Sequence, residues 1–402
     1  MNQTANLHPA LTRANFQREL VNILDWWMAH TPDHEQGGFI GRMDGQGQIH
    51  PEAEKGIILN TRILWTFSAA ARLMPHPEYR RMADRAYNYL LRNFWDKEEG
   101  GFFWTLDYCG LPHETKKQVY AQAFGIYSLS EYFLLTGETA ALNKASETFA
   151  LLERFSRDRE KAGYLEAYSR DWFLLDDLRL SEKDANEAKT MNTHLHVLEA
   201  YTNLLRANPA DKQVHQALKD LIALFLEKFI DPETARMHLF FDVDWQLKSH
   251  EISFGHDIEC SWLLTEAAEV LGDEDLIAQA NRLSVRMAEA VLKNGLDTDG
   301  GILNEADPNG LTDTDKHWWP QAEGVVGFIN AWRLSGDPQF FDAAIAVWQF
   351  IERIMKDPVL GEWYWRVNRQ GHPITTEDKV SQWKCPYHNG RACMEAMRRL
   401  AR

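Results

Sequence analysis

Six apolar helical segments recur along the chain at near-constant spacing, and this period restricts the possible folds more than any other feature. Aligned on the polar residue that opens each one, they begin at Asn60, Gln122, Asn192, His256, Gln321 and His388, with successive spacings of 62, 70, 64, 65 and 67 residues. Segments such as NTRILWTFSAAARL and QAEGVVGFINAWRLSG are apolar around most of their circumference, which is the pattern of a buried helix. Ahead of each lies a second helical pattern, at about 13–29, 79–94, 140–155, 212–230, 274–293 and 338–356, with apolar residues at i, i+3, i+4 and a charged opposite face. These are expected to be outer, half-exposed helices.

The links between the two kinds of helix differ in length. Every link from a buried helix to the next outer one is short (MPHPE, TGETA, ANPAD, LGDED, SGDPQ) and reads as a plain turn. Every link from an outer helix to the next buried one is long. Most carry a glycine- or aromatic-rich stretch that alternates like a small hairpin, as in GGFIGRMDGQG, GGFFWTLDYCG, HLFFDVDW, GGILNEADPNG and GEWYWRVNRQG. Six inner and six outer helices in strict alternation close most simply into an all-α (α/α)6 barrel. All the long loops and short hairpins then crowd one rim, around the N-termini of the inner helices. No glycine/proline-rich or low-complexity linker interrupts the pattern, so residues 1–402 are expected to form a single domain.

Charge narrows the partners. With 43 Lys+Arg against 59 Asp+Glu, a formal net charge of -16, the chain has no basic surface to neutralise a phosphate backbone, and nucleic acid is not an expected partner. Nowhere do 18 apolar residues run uninterrupted, and the opening MNQTANLHPALTR lacks the apolar core of a signal peptide. The expectation is a cytoplasmic protein away from membranes, as a monomer or weak homodimer. Cys109, Cys260, Cys385 and Cys393 form no CxxC pair and read as buried free thiols.

The polar residues in the first turns of the inner helices would point into one funnel: Asn60, Arg62, Gln122, Asn192, His194, His196, His256, Glu259, Glu323, His388 and Arg391. Imidazole titrates near neutrality, so a histidine can take and return a proton at cellular pH, which suits proton abstraction beside a carbonyl. His256 and His388 stand out because each opens an inner helix on the same rim. Asn192, His196 and Glu199 share one helical face, so His196 competes with His194 for the lumen. A planar guanidinium at Arg62 would suit a developing oxyanion. Trp318, Trp319 and Trp383 fall in segments expected to be wet, where flat rings would stack on sugar C–H faces. No metal is expected, since His194-Leu-His196 lacks ligand spacing, and no Gly-rich phosphate loop or GxSxG elbow is present. Glu259 and Glu323 are the one evident carboxylate pair, which keeps a glycoside hydrolase open as an alternative. A non-catalytic sugar-binding protein would also explain the aromatics.

The segments NTRILWTFSAAAR, NTHLHVLEAYTNL, FGHDIECSWLL, WWPQAEGVVGF and WKCPYHNGRACMEA, spread over almost the whole chain, resemble the cellobiose 2-epimerases of the N-acylglucosamine 2-epimerase superfamily. That resemblance implies an (α/α)6 barrel, in agreement with the repeat count. It further implies cofactor-free epimerisation at C2 of the reducing-end sugar of a β-1,4-linked disaccharide such as cellobiose, lactose or mannobiose. By similarity His256 and His388 would be the general acid/base pair, His196 and Arg62 would contact the O1 and C2 region, and Glu259 would orient a catalytic histidine. Tyr120, Asn192, Trp319, Glu323 and Trp383 would hold the sugar, with Asp184 near the non-reducing unit. The HNGRAC stretch departs from the N-acylglucosamine branch and disfavours an N-acetylated substrate. Aldose–ketose isomerisation would use the same histidines.

Overall fold

A helix that is apolar on every face is stable only when other helices surround it. The computed structural model, which describes residues 8–182 and 184–401, shows how six such helices meet that requirement together. The inner helices are α2 (Ile57–Leu73), α4 (Val119–Thr136), α6 (Met191–Ala207), α8 (Phe254–Leu271), α10 (Trp318–Ser335) and α12 (Tyr387–Arg399). Each packs on the next, and α12 returns to α2, which closes the ring. Around it stand α1 (Arg13–His30), α3 (Pro77–Tyr89), α5 (Thr139–Leu151), α7 (Lys212–Leu224), α9 (Glu274–Asn294) and α11 (Pro338–Phe350). The described residues thus form the expected (α/α)6 barrel. The opening residues 1–7, behind the cytoplasmic expectation, lie outside the described part. No helix among the described residues is long and apolar enough to cross a membrane. Cys260, Cys385 and Cys393 are buried thiols as expected, but Cys109 is exposed on a loop.

Local chemistry sets the helix ends. Three of the five short turns leave the inner helices through left-handed glycines, Gly137 at φ 72, Gly272 at φ 78 and Gly336 at φ 74, where a side chain would be strained. The short turns enter the outer helices through polar caps: Asp211 accepts from the N–H groups of Gln213 and Val214, and Asp273 from that of Leu276. Four outer helices run on into a single π-helical turn, at Leu90–Phe94, Leu152–Ser156, Phe225–Phe229 and Ile351–Met355. That accounts for the longer outer patterns expected from the sequence.

The long loops do gather on one rim, but their pairing differs from separate hairpins. Within a loop most pairing is by isolated bridges, such as Trp95 with Phe102 and Leu106 with Pro112; the exception is the loop before α10, where Glu305–Asp307 pairs with Gly310–Asp313 as an expected hairpin. The two-residue ladders run between neighbouring loops. Lys55–Gly56 pairs with Thr105–Leu106, Lys117–Gln118 with Ala167–Tyr168, Lys189–Thr190 with Phe240–Phe241, Ile252–Ser253 with Glu305–Ala306, and Lys316–His317 with Arg366–Val367. A bridge from Met43 to Val380 completes the circuit. Buried lysines pin the same loops: Lys55 to Asp33 (2.6 Å), Lys117 to Asp96 (3.0 Å), Lys189 to Asp158 (2.8 Å), Lys316 to Asp297 (3.0 Å) and Lys379 to Asp357 (2.8 Å). Each aspartate is thereby fixed at the head of a loop that borders the lumen.

Candidate active site

One register position on the inner helices ties five of the six long loops to the barrel, and at the sixth Asn60 bonds back to the start of its own helix. Gln122 accepts from the Phe102 N–H at 2.7 Å and donates to its carbonyl at 2.9 Å; Gln321 does the same for Ile302 at 2.7 and 2.8 Å. The Nε2 of His194 accepts from the Tyr164 N–H at 2.9 Å, and Asp257 accepts from the Met237 N–H at 2.8 Å. Asn60 and Asn389 occupy the same position and donate to the Gly56 carbonyl and to Glu362, both at 2.8 Å. Gln122 and His194, expected in the funnel, are therefore buried loop clamps. The competition between His194 and His196 resolves because one ring is taken by the loop.

Two residues beyond each clamp the side chains turn inward, and the six helices contribute Arg62, Phe124, His196, Glu259, Glu323 and Arg391 to one tier. One turn nearer the rim stand Tyr120, Asn192, His256, Trp319 and His388. All but Asn192, His256 and Trp319 are buried.

The two tiers are joined by hydrogen bonds. His388 Nδ1 lies 2.7 Å from Glu323 Oε1, and His196 Nδ1 lies 3.0 Å from Glu199 Oε2. An ionised carboxylate only accepts: Glu199, lowered by Arg391 and His196, places the His196 proton on Nδ1, and Glu323 in its ionised form does the same for His388, each leaving a bare Nε2. Glu259, expected to orient a catalytic histidine, is 4.0 Å from His388 Nδ1; Glu323 holds that ring. His256 differs, with Nδ1 at 2.8 Å from the Ser253 hydroxyl. Trp319 contacts both His256 and His388, with ring centroids 4.6 and 5.7 Å away. Its ring lies on Gly255, where a Cβ would come within 2.4 Å of it.

Arg62 is 3% exposed and has no carboxylate partner among the described residues. It donates to the Tyr120 hydroxyl at 2.8 Å and lies 3.9 Å from Cys385 Sγ, over the rings of Phe124 (4.4 Å) and Tyr387 (4.8 Å). Arg391 is its opposite. Its Nη2 donates to Glu259 at 2.5 Å and Glu323 at 2.7 Å, and its Nη1 to Glu199 and the Tyr387 hydroxyl.

Burial pushes the histidines down: His256 to about 3, and His388 well below its ordinary value with the charges of Arg62 and Arg391 adding to the effect. Burial also lowers His196, against the pull of Glu199. Glu259 is raised by burial and by the neighbouring Glu323. Burial alone would raise Glu199, but Arg391 and His196 bring it to about 2. The imidazoles are thus neutral at neutral pH with a lone pair free to take a proton, above a floor in which Arg391 holds Glu199 ionised and opposes the burial that raises Glu259 and Glu323.

Of the remaining expected residues, Trp383 is half-buried, 5.9 Å from the Tyr120 ring. Asp184 accepts from the Ser181 N–H (2.9 Å) and hydroxyl (3.0 Å), and borders a cavity of about 320 Å³ with Asn192 and His256. Trp318 is not in a wet loop: it is the first residue of α10, 3% exposed, against Trp365 at 5.1 Å. A more open groove of about 730 Å³ on the outer wall, bordered by Arg236, Ile252 and Arg286, holds none of the expected residues. Glu259, Glu323 and His388 could offer three ligand atoms within 4.8 Å, but the Arg391 guanidinium already donates to both carboxylates there. Glu199, Tyr387 and Arg391 are the parts of the cluster that the sequence reading left without a role. Their signal is the register: Arg391 stands two after Asn389, as Arg62 stands two after Asn60.

A family model described as N-acylglucosamine 2-epimerase (GlcNAc 2-epimerase) matches residues 38–392. The chain is 49% identical over 389 residues to the cellobiose 2-epimerase of Bacteroides fragilis, covering 96% of this chain and 99% of that protein. It is 36% identical to the cellobiose 2-epimerase of Dictyoglomus turgidum, covering 94% and 96%. The solved structure of cellobiose 2-epimerase from Bacillus thermoamylovorans superposes with a TM-score of 0.92 at 38% identity, covering 96% of this chain and 99% of the other.

Proposed function

The chain belongs to the N-acylglucosamine 2-epimerase family, and from that premise we propose that it epimerises C2 of the reducing-end sugar of β-1,4-linked disaccharides such as cellobiose, lactose and mannobiose. It is a carbohydrate epimerase, an isomerase. The observation that carries the reading is the company at the lumen: neutral His256 and His388 share Trp319, near a buried Arg62 that has no anion of its own.

A C2 proton can be removed at a useful rate only next to a carbonyl, so the pyranose must open first. In the proposed sequence one imidazole Nε2 takes the O1 proton while the second histidine of the pair donates to the ring oxygen, so that the C1–O5 bond breaks and the C1 aldehyde is freed. One imidazole Nε2 then abstracts the C2 proton and leaves an enediolate. Arg62, within a low-dielectric pocket, stabilises its negative oxygen. The proton returns to the other face of C2, from the opposite imidazole or after rotation about C2–C3, and the ring closes. His256 and His388 are the acid/base pair, with His196 and Arg62 at the O1 and C2 end. Glu323 positions His388, and Glu259 completes the charge of the floor. Tyr120, Asn192, Trp319 and Trp383 hold the sugar, and Asp184 borders the cavity for the non-reducing unit. No step calls on a metal or a nucleotide. The free thiols favour a reducing, cytoplasmic setting.

Turnover of cellobiose in D2O, followed by NMR, tests this. The expected product is the C2 epimer with solvent deuterium at C2 and the glycosidic linkage intact. Release of monosaccharides, a ketose as the main product, or binding without conversion would each refute the assignment.

A further inference from the structure

Arg391 lies one helical turn beyond His388 on α12 and is 1% exposed, so it does not reach substrate. Yet it contacts carboxylates from three other elements of the floor: Glu199 on α6, Glu259 on α8 and Glu323 on α10. Two of these carboxylates hold a histidine by Nδ1: Glu199 holds His196 and Glu323 holds His388. A continuous chain, His196–Glu199–Arg391–Glu323–His388, thus joins two imidazoles carried by different helices. Tyr387 sits within it, donating its hydroxyl proton to Glu199, while its ring lies 4.3 Å from the Arg391 guanidinium and 4.8 Å from that of Arg62.

We propose that Arg391 is the positioning residue of this site. By bridging Glu199 and Glu323 it keeps both carboxylates ionised against the Nδ1–H of His196 and His388, so that both rings present a bare Nε2 to the lumen together, and it keeps those carboxylates from pairing with Arg62. The inference rests on the proton-transfer reading above.

The physical reason is charge crowding. Three buried carboxylates gathered on one guanidinium cannot all ionise once that cation is taken away, so removing Arg391 protonates at least one. A protonated carboxyl can donate as well as accept, and it no longer compels the proton onto Nδ1. A histidine in the wrong tautomer offers N–H where a base is needed. Elsewhere that error at a carboxylate-backed histidine costs on the order of 10⁴ in kcat. A carboxylate released from Arg391 would also find the carboxylate-free guanidinium of Arg62, and would occupy the group meant for the enediolate. Substrate binding is not part of this role, so KM should move little.

The test begins with the unaltered protein. Histidine ¹⁵N NMR near neutral pH should show His196 and His388 with Nδ1 protonated and Nε2 bare, and the signals can be assigned with single histidine variants. An Nε2–H tautomer at either ring overturns the proposal. Arg391→Met should then lower kcat by about 10² to 10⁴ with KM within about threefold, and mix the tautomers of both rings; Arg391→Lys should restore part of kcat. Since Arg391→Met leaves buried carboxylates unpaired and can fail to fold, Glu199→Gln provides the second arm. It should disturb the tautomer of His196 and leave that of His388. A folded Arg391→Met with unchanged kcat and tautomers refutes the positioning role, as does Glu199→Gln that leaves the His196 tautomer as it was. The tautomer measurement does not depend on turnover, so an unaltered protein that fails to epimerise would refute the functional reading while leaving this result to stand or fall alone.

Discussion

Replacing Arg62 with methionine should remove most of the activity while leaving the fold about as stable as before. The structure supplies both halves of that expectation. A cation taken out of water costs several kcal/mol unless an anion meets it, and Arg62 meets none. What offsets the cost is a hydrogen bond to the Tyr120 hydroxyl, about 1.5–3 kcal/mol for a charged donor. Stacking over Phe124 and Tyr387 adds about 0.5–2 kcal/mol per ring. The gains and the cost are of the same size, so an apolar side chain of similar length should shift stability by no more than ~1 kcal/mol, roughly 1 °C in a chain this long. The enediolate is different, because its charge exists only near the transition state. Losing one preorganised donor to such an oxyanion costs about 10²- to 10³-fold in kcat, or 2.7–4 kcal/mol. Thermal melts of Arg62→Met beside kcat and KM for cellobiose epimerisation would read both quantities. Turnover within about threefold of the parent would refute the oxyanion role. A melting temperature lowered by more than about 10 °C, with kcat per folded molecule unchanged, would make Arg62 a structural brace.

Two further outcomes follow from the same geometry. Trp319→Ala and Trp383→Ala should each lower kcat/KM by about tenfold or more, near 1.4 kcal/mol of lost ring contact, with smaller changes in melting temperature. Stability loss with unaltered kinetics would return either ring to the core. Glu166, 1% exposed and hydrogen-bonded to the Thr190 N–H at 2.7 Å, is pushed up by burial to about 8 from 4.5. The folded state therefore keeps a proton that the unfolded chain releases between those values, so stability falls as pH rises through the window. In urea melts across pH 4.5 to 8, Glu166→Gln should flatten part of that decline, and an unchanged slope would refute the assignment.

Much of the barrel was legible because its signals are local. Apolar runs mark the inner helices, and each short link carries its own stop and start, as Gly137 and Asp211 do. Register was harder. In α6, α8 and α12 the repeat alignment fell on Asn192, His256 and His388, while the positions equivalent to Gln122 are His194, Asp257 and Asn389. A helix turns about 100° per residue, so an error of one or two moves a side chain from the lumen to the loop side. This is why Gln122 and His194 read as funnel residues. The inter-loop ladders and the Arg391 cluster were out of reach for another reason. Glu199, Glu259, Glu323 and Arg391 come from four helices, and nothing within a single segment records which partner each will meet. The sequence could supply the chemistry of the floor, but the pairing of its charges required the closed ring.

That pairing also bears on the choice between epimerisation and glycoside hydrolysis, since both use this kind of barrel to hold carboxyl groups near a sugar. A hydrolase needs one carboxyl above the scissile bond and another across it, about 5 to 9.5 Å apart, with both facing the substrate. Glu259 and Glu323 are the pair available from sequence, and both receive the same Arg391 Nη2. Glu323 is further committed to His388 and, through its other oxygen at 3.0 Å, to the Trp262 indole. Each is 1% exposed. They belong to the lower tier, about one helical turn or 5.4 Å beneath the residues that face the rim. Groups held on one side by one guanidinium cannot flank a bond. What they can do is set the charge and the tautomer of the imidazoles above them, and those imidazoles, with Arg62, are the groups left to meet the sugar. In the proposed reaction, then, the carboxylates act on the histidines, and the histidines act on C2.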